Sequence, residues 1–88
     1  MGVMHVMAIS TVSDSDRFWG GLKKAYGRLP RGAAWVLALA NTEGTRAVNV
    51  IRHESIEAVR AVLDEYAGPA AVTEYFEADA ANAIGLGT

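Results

Sequence analysis

Along this chain, stretches with strand-like apolar spacing alternate with stretches spaced as on a helix. Val3 to Val12 (VMHVMAISTV) is apolar on both faces and rich in β-branched residues, which predicts a central strand covered on both sides. Ser13-Asp14-Ser15-Asp16 follows and reads as a helix cap, Ser13 bonding the first turn and Asp16 returning the bond. A helix is predicted from Asp14 to Gly27, with Phe18, Leu22, Ala25 and Tyr26 on its apolar stripe and Trp19 widening it. Gly20-Gly21 in its middle is explained by close approach to the sheet or by space for a ligand. After the turn at Leu29 to Gly32, a second strand runs from Ala34 to Ala40 (AWVLALA). Asn41 to Thr45 reads as a hairpin loop with Gly44 at positive φ, and Arg46 to His53 (RAVNVIRH) as a third strand. Ser55 caps a second helix, Ile56 to Ala67, whose stripe is Ile56, Val59, Leu63 and Tyr66, and Gly68-Pro69 stops it. Val72 to Ala78 alternates at period two as a fourth strand. Asp79 to Thr88 is a tail lying over the surface or a partner.

The order is β-α-β-β-α-β within one domain spanning residues 1–88. With right-handed crossovers, two interleaved split units give a ferredoxin-like α+β sandwich, a four-stranded antiparallel sheet with both helices on one face. The other face needs a cover, because the first three strands lack the polar alternation that would suit it to water. Composition sharpens this point. The chain is 51% hydrophobic with a mean hydropathy of +0.15, yet a body this small buries only roughly 60–65% of its unfolded surface. The expected partner is a second copy, giving a homodimer or a dimer-based oligomer through the helix-free face.

Charge and residue types exclude several classes. There is no cysteine, so disulfide and thiolate chemistry are absent. The formal net charge is −2, and the one basic cluster, Lys23, Lys24, Arg28 and Arg31, reads as a solvated helix end, so no nucleic acid is expected. The apolar N-terminus is too short to span a membrane and lacks a signal-peptide layout, so the expectation is a cytoplasmic protein with no membrane partner. Phosphate-loop, dinucleotide, nucleophile-elbow and zinc-helix motifs are missing, and no cofactor is expected.

Val3 to Asp79 resembles the dimeric α+β barrel superfamily of small stand-alone proteins, and the last segment, VTEYFEADAANAIGL (Val72 to Leu86), is similar to the ending of uncharacterised members. The resemblance implies the fold and a dimer. The superfamily includes cofactor-free monooxygenases, haem-degrading enzymes and muconolactone-isomerase-like enzymes, so it implies no single reaction, and none of its catalytic motifs maps onto residues here.

Candidate chemistry follows from a register in which Asn41 meets Arg46. Ala38 then faces Asn49, Val36 faces Ile51 and Ala34 faces His53. One sheet face carries Ala34, Val36, Ala38, Ala40, Ala47, Asn49, Ile51 and His53, and Trp35 lies on the other, where it stacks on Arg52. The small residues predict a cavity beneath the first helix with Asn49 and His53 on its wall. His53 is a candidate general base or a capping histidine, and the buried amide of Asn49 is a structural tie or a ligand handle. Trp19, Tyr26, Trp35, Tyr66 and Tyr75 are candidates for the pocket rim, or for core and interface. Glu77 or Asp79 is placed near His5. His5 and His53 are expected at opposite ends of parallel neighbours, about 20 Å apart, so no metal site is predicted.

Three functions fit these residues. One is a dimer that binds a small apolar or aromatic molecule between sheet and helices. Another is a cofactor-independent enzyme of monooxygenase or isomerase type, with Asn49 and His53 as its catalytic candidates. The last is a regulatory or structural interaction module of ACT-like form, with a ligand near Val12-Ser13-Asp14.

Overall fold

A computed structural model describes residues 2–86; Met1, Gly87 and Thr88, with their part of the tail, lie outside the described residues. The strands are β1 (Met4–Val12), β2 (Ala34–Ala40), β3 (Arg46–His53) and β4 (Ala71–Ala78). The helices are α1 (Ser15–Tyr26) and α2 (Ile56–Ala67). All four strands join one antiparallel sheet in the order β2-β3-β1-β4. This is the ferredoxin-like arrangement that the element order predicts.

Both helices cover one face of the sheet. Phe18, Leu22 and Ala25 of α1 and Val59, Leu63 and Ala67 of α2 pack with Val6, Ala8, Val12, Ala47 and Ile51 from the two central strands. The spacing i, i+4, i+7 on α1 and i, i+4, i+8 on α2 places these side chains on one helical stripe each. Capping fixes where each helix starts. Asp14, one residue later than expected, accepts from Arg17 N at 3.1 Å, and Ser55 Oγ accepts from Ala58 N at 3.1 Å. Ser13 does not cap: its Oγ donates to the Ala70 carbonyl at 3.0 Å and ties the end of β1 to the turn before β4.

The glycine pair of α1 divides its roles. A Cβ on Gly21 would clash with the Tyr66 carbonyl, so Gly21 lets α1 cross α2 closely. A Cβ on Gly20 would meet nothing within 4 Å. The close approach is therefore to the other helix, not to the sheet.

The hairpin loop is held by Asn41, whose Oδ1 accepts from Thr45 N at 2.9 Å and Arg46 N at 3.0 Å. Gly44 takes the positive φ of 74° expected there. Ala40 pairs with Ala47 and Ala38 with Asn49, as the register predicts. Beyond that the ladder slips. Trp35, not Val36, sits opposite Ile51, and Ala34 sits opposite Arg52 instead of His53. Val36 is the extra residue of a β-bulge, and the bulge turns Trp35 to the helix-covered face.

The histidines also differ from expectation. β1 and β3 run antiparallel, with Met4 opposite His53 and His5 opposite Arg52. The two histidines therefore share one end of the sheet, on opposite faces. His5 pairs in register with Ala78 on β4, while Glu77 pairs with Val6 and so projects to the helix side. His5 Nε2 is buried without a hydrogen-bond partner, so neither Glu77 nor Asp79 is bonded to it.

Candidate functional site

Helix α1 and strand β2 diverge along the edge of the sandwich. Between them lies a cleft of about 380 Å³ lined by Trp19, Leu22, Lys23, Tyr26, Trp35, Val36, Leu37 and Ala38. The local sequence explains its walls. Trp19, Leu22, Lys23 and Tyr26 recur at i, i+3, i+4 and i+7, one flank of α1, and β2 supplies four consecutive residues because the bulge at Val36 presents both of its faces to the gap. Trp19 stands edge-on to the buried Phe18 ring, 5.8 Å between centroids at 84°, which fixes its indole from the core side. Tyr26 and Trp35 lie 6.0 Å apart at 48°. The same two rings also wall a second depression of about 440 Å³, toward Gly27, Leu29 and Pro30.

Bonded to the cleft residue Trp35 is Asn49, which does not itself line the cleft. It is 1% exposed, flanked on the sheet by Ala8 and Ala38. Its Oδ1 accepts a hydrogen bond from Trp35 Nε1 at 3.2 Å, and its Nδ2 is buried without a partner. An unmade hydrogen bond on a buried donor costs about 1–3 kcal/mol. Turning the amide over does not help, because the indole N–H only donates and would then face the NH₂ group.

Of the residues singled out from sequence, Trp19, Tyr26 and Trp35 meet at the cleft; Asn49 does not line it but bonds to Trp35, and Tyr66 and Tyr75 lie outside it. His53 does not join them: it is buried on the helix side at the far end of β3, opposite Met4. Asn49 and His53 therefore do not form the wall of a shared cavity. Trp35 does not stack on Arg52, since the bulge carries it to the other face. Val36 and Ala38 belong to the sheet face on which a cavity was expected, whereas Leu22, Lys23 and Leu37 were missed as lining residues. The helical spacing of Leu22 and Lys23 from Trp19 was the available signal; for Leu37 there was none.

Elsewhere on the helix side, Tyr75 OH donates to Asp64 Oδ1 at 2.8 Å, with the Arg60 guanidinium 5.1 Å from the ring centre. Burial pushes the Tyr75 phenol up from its ordinary value, and the bond to Asp64 pushes it further. Ser10 Oγ and Thr73 Oγ1 bond at 2.8 Å within the same face. The turn at Val12 to Asp14 is engaged with its own chain: the Ser13 and Asp14 amides both point to the Ala70 carbonyl. Among the described residues, no three His, Asp or Glu side chains gather into a set that would hold a metal ion. No described helix is long and apolar enough to cross a membrane.

The sheet's helix-free face forms an apolar band. Leu37, Val50, Met7 and Phe76 make one row across the four strands, and Leu39, Val48 and Ile9 lie beside it, ending at Glu74. Leu37, Leu39 and Phe76 are 42%, 49% and 44% exposed, values that leave this face uncovered within one chain. Comparison with protein-family models, curated proteins and solved structures gives no significant match to this chain.

Proposed function

We propose that the chain is a homodimeric small-molecule-binding protein of the dimeric α+β barrel type, taking a small apolar or aromatic compound in the cleft between α1 and β2. The observation that carries this reading is the cleft itself. It lies within the usual size range of small-ligand sites, about 300–1,000 Å³, and its lining is apolar and aromatic with Lys23 as the one charged group. The uncovered band on the opposite face supports the dimer. A monomer rarely leaves a contiguous apolar patch of this kind in water, and an isologous sheet-on-sheet contact covers it with a single surface. Binding is favoured over catalysis because His53, the candidate base, does not line the cleft. The ACT-like alternative draws less support, since the turn it would use is bonded to Ala70.

Two measurements test the reading. Native mass spectrometry of the purified protein should give a dimer; a monomer at micromolar concentration removes the self-association half. For the cleft, the chain has two tryptophans and so two indole N–H resonances, from Trp19 and Trp35. Both should move on titration with propylbenzene or its ketone propiophenone, and a spectrum in which neither moves with either compound removes the binding half.

A further inference from the structure

Resting on that cleft reading, we infer that the preferred ligand carries one hydrogen-bond acceptor on an apolar frame, and that the Asn49 side-chain amide is its polar anchor. Asn49 is buried on a sheet face among alanines, where an amide has no packing advantage over an aliphatic residue. Half of the amide is satisfied by the Trp35 indole, and that bond fixes which way the group points. The other half, the NH₂, is a donor held in one orientation with nothing to donate to. Two of its neighbours, the Trp35 indole bonded to its oxygen and Ala38 opposite it on the sheet, are themselves cleft walls. One of them is the smallest side chain that keeps a Cβ. The other stays in place, bonded to Asn49 on one side and packed 6.0 Å from the Tyr26 ring on the other. A ketone, ether or ring-nitrogen acceptor entering past Ala38, with the Trp35 bond kept, completes the set of hydrogen bonds; a hydrocarbon of the same shape leaves the donor unmade. Trp35 is then a positioning residue, holding the amide oxygen so that the nitrogen is presented.

Propiophenone and propylbenzene differ at one position, a carbonyl against a methylene, and make the test direct. Wild-type protein should bind propiophenone about fivefold more tightly than propylbenzene, the effect of one hydrogen bond made rather than left open. In Asn49→Leu the two compounds should bind equally. The wild-type spectrum gives a readout that needs no variant. The chain has three asparagines and no glutamine, so its side-chain amide region holds three NH₂ pairs. The Asn49 pair should move downfield with propiophenone and not with propylbenzene. Equal binding of both compounds by the wild type, with indole shifts but a stationary Asn49 pair, overturns the anchor and leaves the cleft reading standing. Indoles unmoved by either compound overturn the cleft reading, and the anchor falls with it.

Discussion

The two faces of this sheet are built from similar side chains and meet different fates. On the helix side, Val6, Phe18, Ile51 and Val59 are at most 1% exposed, and the polar groups among them are mostly bonded to one another. On the other side, leucines, a methionine and a phenylalanine form continuous rows with no layer above them. The difference separates two sources of order. The helix face is organised by contacts within one chain, where packing is specific and each atom counts. The open face is apolar without being packed, which is the character of a surface awaiting a complementary one.

The largest effect should come from breaking the packed side. Phe18→Ala removes a fully buried ring between α1 and the sheet and should cost about 4 kcal/mol in denaturant unfolding. Gly21→Ala comes next, at about 3 kcal/mol, because its methyl must displace the backbone of α2 at Tyr66. Gly20→Ala, one residue away, should instead stabilise by up to about 1 kcal/mol, since it lowers unfolded-state entropy and meets nothing. If both substitutions behave alike, the helix crossing is not as close as described.

Tyr75→Phe should cost about 1 kcal/mol near neutral pH and should also change the pH profile. The folded phenol holds its proton more tightly than the unfolded one. Its contribution is therefore complete below the ordinary tyrosine range near pH 10 and is lost as pH rises through it. Wild-type stability should fall more steeply above about pH 10 than that of the variant, measured as denaturant midpoints across pH. The smallest effect on the isolated fold should come from the open face: Leu39→Glu should change monomer stability by less than about 0.5 kcal/mol. Its readout is assembly, and under the dimer proposed above it should leave a folded monomer on native mass spectrometry.

The elements were legible because each carried its own punctuation. The cap before α2, the glycine at 44 and the glycine-proline stop at 68–69 left little choice of boundary, the cap before α1 fell one residue past the expected serine, and the order of elements then implied the topology. What failed was local to β2. In Ala34 to Leu39 every residue is apolar, so no alternation marks which side chains face inward, and a bulge leaves no trace. The Trp35–Asn49 bond depends on that bulge and was invisible for the same reason. The histidines were misplaced by treating β1 and β3 as parallel, though the hairpin makes β3 run opposite to β2 and thus opposite to β1. The aromatic residues were readable as a group because Trp19 and Tyr26 share a helical flank. Their meeting point with β2 depended on tertiary geometry.

The extra residue at Val36 has one more consequence, for the protein's solubility during synthesis and storage. β2 is an outer strand, and from Ala34 to Ala40 it contains no charge and no proline. Such a segment is a ready template for adding strands from other molecules, the first step toward fibrils. The bulge interrupts the free row of amides and carbonyls and bends it out of line. Deleting Val36 would keep Trp35 opposite Ile51 and straighten the rim. That protein should fold with the same helices and yet form thioflavin-positive aggregates at concentrations where the parent chain stays clear.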